Sequence, residues 1–520
     1  MKGRGKTSLL EGFQGRADLL AARPLERDRG KGWLIREERR KPERRRRVME
    51  AKDKPSRLAV VQEAPRRWLT ILGMLGPAYI WAAEYIGSGE VILSTRLGAL
   101  FGFSIVWIAV WAIVLKAFIG YGGACYTTFT GEGMIDMIGR IPPGKWGVWL
   151  VGIAELAAGT ISIGALITAC SVFTNALLPF LSPVFWGWIL SAIIIYLIWS
   201  GSIDRLKVIQ TVMVAIMVIG VLYTGYRLIP SFGSLISGLF VMQIPQIPAW
   251  AAEKYKVTNP LRELVPILGW AGGGFASQCW YTYWTLGAGY GMARLGRQGK
   301  PADETLLKEM SVEDANRVKG WLRMVRADTL VASLIGVVVI IGFVSSGAGV
   351  LHVKQILPAG AAVALNVAEI FNFMFGKVGR YLFLLGAFAA LFSTCLAAFT
   401  GWPRLLSDCA RVLFPILEKV SWEKQYRVWI IIFAFTNMVL VYTFHWRPVF
   451  LVQSAATLEG AFLIPVQGIL VLLGLYYVLP KLFSPEVRKI LRPGILVPLG
   501  ITLAVSVYVY FSFARLIMGF

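Results

Sequence analysis

The chain has 520 residues, 56% of them hydrophobic, and a mean hydropathy of +0.62. Only 16% are charged, against about a quarter in soluble proteins, and apolar runs long enough to cross a bilayer recur after residue 68. An ordinary soluble globular protein is excluded, and the composition predicts an all-α polytopic membrane protein.

The net charge of +23 is uneven. Residues 1–67 hold 21 Lys and Arg against 10 Asp and Glu, with four arginines in a row at Arg44–Arg47. This segment reads as a disordered basic cytoplasmic tail lying on anionic lipid, rather than as a nucleic-acid arm. Met49 follows the arginine run, so the first 48 residues also fit an over-extended gene start. No secretory signal is read, because the first apolar run comes too late and is too long.

Eleven spans are predicted, near 69–100, 103–127, 146–179, 184–200, 206–228, 264–291, 327–346, 379–402, 428–444, 449–479 and 494–516. They divide the chain into a first five-helix repeat (68–228), a second (229–480) and an additional C-terminal helix (481–520). With the N-terminus cytoplasmic, the inside segments carry 42 Lys and Arg and the outside segments nine; without the tail the ratio is still 21 to 9. The longest inside loop, 292–326, has a helical pattern around Asp303–Arg317 and suits gating or docking.

Within the spans, two glycine-rich interruptions stand at matching positions of the halves. Span 1 contains Gly87-Ser88-Gly89 and span 6 contains Gly272-Gly273-Gly274. Glycine is a poor helix former, and irregular backbone at membrane depth survives only against protein or a wet cavity. Two such breaks, five spans apart, are the mark of an inverted-repeat transporter, with freed carbonyls able to coordinate a cation. The breaks are predicted to face each other at mid-depth, within about 15 Å.

Intramembrane acids point to the same place. Glu84 and Glu90 flank the first break, Glu155 lies in span 3 and Glu459 in span 10; such groups are costly in lipid and mark pathways by default. The nearest cations are Arg96, a structural partner to weigh for Glu84 or Glu90, and Lys116, one for Glu155. Five cysteines, an odd number without CxxC spacing, give neither a disulfide framework nor a zinc site. The two histidines, His352 and His445, sit near the ends of apolar runs.

Span 1 resembles the first helix of the Nramp family of divalent metal transporters, whose pattern is GPAF…AYIDPGN: here Gly76-Pro77-Ala78-Tyr79, then Tyr85-Ile86, then Gly89. The resemblance continues, in order, through Phe101-Gly102-Phe103, Thr130-Gly131-Glu132, Ala154-Glu155-Leu156, Asp204-Arg205-Leu206 and Phe392-Ser393-Thr394 with Gly401, over about 70–480. It implies the LeuT-type fold, an inverted repeat with helices 1 and 6 broken. It also implies that the family's metal-binding Asp falls on Gly87, its Asn on Glu90, and its span 10 glutamine on Gln453. The Met-Pro-His signature of span 6 is replaced by Ala276, Ser277 and Gln278, with Cys279 close by. The proton-route acids of span 3 fall on Ser162 and Ala165, which argues against tight proton coupling.

The resulting expectation is a transporter of a divalent cation, with Glu90 as charged ligand and Gly87, Ser88, Gly274, Ser277, Gln278 and Gln453 supplying neutral oxygens. An oxygen-rich set without a thioether suits a hard ion such as magnesium. Glu84, Glu155 and Glu459 are pathway or coupling candidates. The alternative is an organic cation or amine, held by Trp81, Trp280, Tyr281, Tyr283 and Trp284. No cofactor is expected, and no catalytic histidine, metal-ligand spacing or phosphate loop suggests an enzyme.

Overall fold

The computed structural model describes Leu58 and residues 61–517, apart from 201–202, 230–231, 297 and 445–446. Most of the basic tail, including Arg44–Arg47 and Met49, lies outside these residues, as does His445. Every one of the eleven predicted spans falls on helix, and no strand occurs among the described residues. The elements used below are α1 (Gly76–Tyr85), α2 (Thr95–Phe101), α3 (Val106–Thr130), α4 (Met134–Gly139), α5 (Trp146–Leu177), α6 (Pro183–Ser200), α7 (Ile203–Leu228), α8 (Pro260–Trp270), α9 (Phe275–Ala288), α10 (Leu322–Ser346), α11 (Val363–Leu413), α12 (Trp422–Phe444), α13 (Pro448–Leu458), α14 (Ile464–Leu473) and α15 (Leu496–Val509).

Six helical segments among the described residues are each long and apolar enough to cross a bilayer. Large apolar side chains such as Ile153, Phe185, Leu330, Phe435 and Leu499 stand exposed on the outside. In water such a surface would aggregate; against acyl chains it is matched. The chain is an integral multi-pass membrane protein.

Local chemistry explains the ends. Pro77 opens α1, where a missing N–H costs nothing. Asn259 caps α8, its side-chain oxygen accepting from the Leu261 N–H at 2.9 Å, with Pro260 following. The 292–326 loop carries two short helices, Glu304–Lys308 and Val312–Gly320, capped by Asp303 and Ser311. One boundary differs from the expectation. The eighth span continues as helix to Leu413, through Pro403, and its start is kinked at Gly376 (φ 64°, ψ −159°).

Glycines bring the spans into backbone contact. A Cβ on Gly98 of α2 would lie 2.1 Å from the Val344 carbonyl of α10, and one on Gly269 of α8 would lie 1.8 Å from the Ala456 carbonyl of α13. Without a hydrophobic drive between helices in lipid, such close approach supplies the packing. Around these contacts α11 runs against α5 and α7, α10 against α3 and α7, and α9 against α3 and α1.

Candidate cation site between the helix breaks

Span 1 breaks as predicted, over a short stretch. Helix α1 ends at Tyr85, Ile86 turns out of the helix with ψ 82°, and the chain resumes as a π-helical turn over Gly89–Ser94 before α2. The Glu84 carbonyl at the end of α1 accepts from Thr394 Oγ1 of α11 at 3.1 Å. A Cβ on Gly87 would lie 2.4 Å from that same hydroxyl oxygen, so glycine is needed for the approach.

Span 6 breaks over Ala271–Gly274, between α8 and α9. Gly272 and Gly273 take φ of 72° and 79°, which side chains resist. A second π-helical turn, Glu459–Leu463 in span 10, faces this break. Glu459 Oε2 accepts from the Phe275 N–H at 2.6 Å, so a carboxylate caps the positive end of α9. The two breaks touch: a Cβ on Gly89 would lie 3.3 Å from the Trp270 carbonyl oxygen.

Between them lies a cavity of about 40 Å³. Its polar lining is Glu84, Ser88, Ser277, Thr394, Glu459 and the Gly273–Gly274 backbone; Trp270, Trp280 and Trp402 form much of the rest. Ser277 Oγ donates to Glu84 Oε2 at 2.5 Å and accepts from Trp81 Nε1 at 3.1 Å. Trp81 in turn stacks on Tyr281, ring centroids 4.2 Å apart. Two buried carboxylates, three hydroxyls and freed carbonyls therefore converge on a space the size of about three waters.

Ionic clusters close both ends. On one side Arg96 of α2 binds Glu263 of α8. On the other, Arg411 of α11 binds Asp136 of α4 at 2.5 Å and Asp408 at 2.7 Å, and Tyr283 of α9 donates to Asp408 at 2.9 Å. Beside this cluster Arg140 binds Glu132 at 2.7 Å and Glu304 of the 292–326 loop at 2.5 Å. Burial, with the Asp408 charge second, pushes the Asp136 carboxyl up to about 8. The Arg140 hydrogen bond holds Glu304 below its ordinary value.

Residues 78–258 match the family model described as natural resistance-associated macrophage protein-like. The divalent metal cation transporter MntH of Caldanaerobacter subterraneus is 33% identical over 87 residues, 17% of this chain and 21% of that protein. MntH of Yersinia enterocolitica is 32% identical over 117 residues, 22% and 28% of the two chains. The aligned part of the chain thus spans about a fifth to a quarter of these curated relatives. In structure the chain is similar to a manganese transporter of Eremococcus coleocola, with a TM-score of 0.61 at 15% identity over 87% of this chain and 88% of that one. Over residues 78–258 the chain thus resembles the Nramp family. Its fold is that of the solved transporter, of the LeuT type.

The Nramp correspondences sort into three groups. Ser88, Gly274, Ala276 and Ser277 line the cavity, and so do Glu84 and Glu459. Gly87 and Glu90 lie beside it. Glu90 is fully buried; its Oε2 accepts from the Gly87 N–H at 3.2 Å, and its carboxyl also meets the Gly272 backbone of the span 6 break. The expectation that Glu90 is the charged group in the cavity is corrected: Glu84 and Glu459 are. The Glu90 carboxyl is taken up by backbone N–H groups at the two breaks, those of Gly87 and Gly272, rather than by the cavity. Gln278 Nε2 reaches the Gly272 carbonyl at 3.4 Å, and its buried Oε1 has no partner.

The third group stands apart from the cavity. Cys279 is not in the cavity lining; its Sγ faces Met134 Sδ at 3.4 Å and Gln467 Nε2 at 3.7 Å. Gln453 donates to Glu263 at 2.7 Å in the ionic cluster, and the glutamine at the break is Gln467, whose Nε2 donates to the Phe275 carbonyl at 2.9 Å. Gln467 lies eight residues after Glu459, two helical turns along span 10, a spacing that could have found it. Glu155 Oε2 accepts from Trp402 Nε1 at 2.8 Å, behind the cavity wall. Neither structural pairing weighed from the sequence forms: Arg96 pairs with Glu263, and Lys116 binds backbone carbonyls. Among the described residues no three His, Cys, Asp or Glu gather closely enough to hold a metal alone.

Proposed function

We propose that the chain is a secondary transporter that carries a divalent metal cation across the membrane by alternating access at the two helix breaks. The observation that carries this reading is the cavity of about 40 Å³ with Glu84 and Glu459 on its wall. Two buried carboxylates without a guanidinium or ammonium ion pair hold formal charge that a divalent ion would neutralise. The match of residues 78–258 to the Nramp-like family model supports the same cargo class.

The ion is a hard one, such as magnesium. Carboxylates, hydroxyls and carbonyls are hard oxygen donors, Ala276 stands where the family has its methionine, and Cys279 is outside the cavity lining. Ligation by Glu84, Glu459, Ser88, Ser277, Thr394 and the Gly274 backbone, with waters completing the shell, suits an ion that dehydrates reluctantly. The indole walls would suit an organic amine, but room for about three waters does not hold one. The tail and the excess of Lys and Arg on the 292–326 side favour a cytoplasmic N-terminus.

Purified protein in liposomes, offered magnesium, manganese and a panel of amines, tests the reading. Saturable magnesium uptake, competed by manganese only weakly, is expected. Uptake of amines without either metal would overturn it.

A further inference from the structure

Lys116 stands in the middle of α3 and is 1% exposed. Its Nζ donates to the Gly269 carbonyl at 2.8 Å and to the Gly273 carbonyl at 2.7 Å, either side of the span 6 break. Among the described residues these are its only hydrogen-bond partners, and no carboxylate forms an ion pair with it. A buried ammonium without an ion pair is expensive, so the cost must be met by the surroundings.

The break meets it. Helix α8 ends at Trp270, and the Gly273 N–H goes to the Trp270 carbonyl at 3.0 Å. The Gly269 carbonyl, which a continuing helix would have bonded to that N–H, is left to Lys116. The Gly273 carbonyl lies ahead of the first residue of α9. Both oxygens belong to the negative end of α8 or to the unwound stretch after it. Glu90, Glu459 and Glu84 add a negative surround beyond contact distance.

Neutral backbone oxygens at an unwound break are the ligands that carriers of this architecture offer to a free monovalent ion. We infer that Lys116 is a tethered monovalent cation, its ammonium filling the Gly269–Gly273 carbonyl cage so that the transport cycle takes no sodium or potassium there. Lys116 is then a specificity-determining residue. With Glu84, Glu90 and Glu459 it leaves a formal charge of −2, which one divalent ion neutralises and one monovalent ion does not. Removing the ammonium frees two carbonyls and adds one uncompensated negative charge, which are the conditions for sodium binding.

The test is thermal unfolding of the full chain in detergent, in sodium chloride and in choline chloride at equal ionic strength. Wild type is expected to unfold at the same temperature in both. Lys116→Met is expected to be stabilised by sodium alone and saturably; at ten times the dissociation constant the folded-to-unfolded ratio rises about elevenfold. Lys116→Gln, whose amide keeps one donor, is the second variant should Lys116→Met fail to fold. A purely structural lysine would leave both variants weakened equally in the two salts, and that result overturns the proposal. If neither variant folds, the wild-type arm decides: sodium-specific stabilisation refutes it, and indifference to sodium supports it. None of these arms needs a transported divalent ion, so the proposal and the divalent-cation reading fail separately.

Discussion

Arg96 and Glu263 meet in a two-pronged ion pair, Nε to Oε2 at 2.7 Å and Nη2 to Oε1 at 2.8 Å. Both side chains are more than nine-tenths buried. Arg96 also reaches the Pro358 carbonyl at 2.5 Å, and Gln453 donates to Glu263. The pair thereby ties the second half of span 1 to the first half of span 6 and to span 10, on the side of the cavity away from the 292–326 loop. A buried pair broken on one side leaves the other charge uncompensated, at a cost of about 3–5 kcal/mol. Glu263→Gln should therefore lower the unfolding temperature sharply and reduce uptake. The exchange Arg96→Glu with Glu263→Arg should recover part of both; no recovery would mean that the pair does not act as a latch.

Glu84→Gln and Glu459→Gln should each abolish saturable uptake while the protein remains folded. Each replaces a carboxylate on the cavity wall by an amide of the same shape, so loss of charge rather than of packing is tested. Glu90→Gln should lower uptake less than either, because the amide oxygen still accepts from the Gly87 N–H and the charge removed lies outside the cavity lining. Initial rates in liposomes check all three. Loss in Glu90→Gln with wild-type rates in Glu84→Gln would reverse the assignment.

The contrast between Glu84 and Glu90 shows what the sequence can tell. Both breaks were legible, because three consecutive glycines and a Gly-Ser-Gly at matching positions have few uses at membrane depth. The all-helical class and the eleven helical segments follow from apolar run length alone. Which carboxylate faces the gap was not legible. It depends on the path of the chain from Tyr85 to Gly89, where Ile86 leaves the helix at ψ 82° and the helix resumes at Gly89. In span 10 likewise, Glu459 and Gln467 meet the break at Phe275, whereas Gln453 binds Glu263. Lys116 was visible only as a nearby charge, since its partners are backbone atoms that the break sets free.

Gly87→Asp, which restores the acid of the family pattern, should not create a manganese site. A Cβ there would lie 2.4 Å from Thr394 Oγ1, so the side chain has no room unless α11 moves. The variant should lose stability and uptake together. Pairing it with Thr394→Ala removes the obstructing hydroxyl and should restore folding in part, read by unfolding temperature. Full stability in Gly87→Asp alone would show that the approach of α1 to α11 is looser than the structure has it.

The fold around Asp136 should lose stability as pH rises. Burial, reinforced by the Asp408 charge, raises the Asp136 carboxyl from its ordinary 3.8 to about 8. A carboxyl raised on folding contributes stability that is fully present below its unfolded value and is lost as pH passes through the folded one. The contribution therefore declines from about pH 4 and is gone above about pH 8. Hydrogen exchange over residues 132–140, corrected for intrinsic rates, should show less protection at pH 9 than at pH 6. Asp136→Asn should remove that difference; unchanged protection in the wild type would refute it.

Transport should not be tightly coupled to protons. A relay needs groups that take and give a proton near working pH along a connected route. Ser162 and Ala165 stand on α5 where the family has its two acids, and the Ser162 hydroxyl is buried without a partner. Glu155 remains on the same helix, but one oxygen is bound to Trp402 and the other is buried and unpartnered, with the indole between it and the cavity. A proton leaving Glu459 has Glu155 as its acidic neighbour on α5, but Glu155 is not in the cavity lining and is held by Trp402. Liposomes holding a pH-sensitive dye, loaded by a cation gradient, should show uptake without matching internal acidification. Stoichiometric acidification that disappears in Glu155→Gln would mean that Trp402 moves aside during the cycle and that Glu155 carries the proton after all.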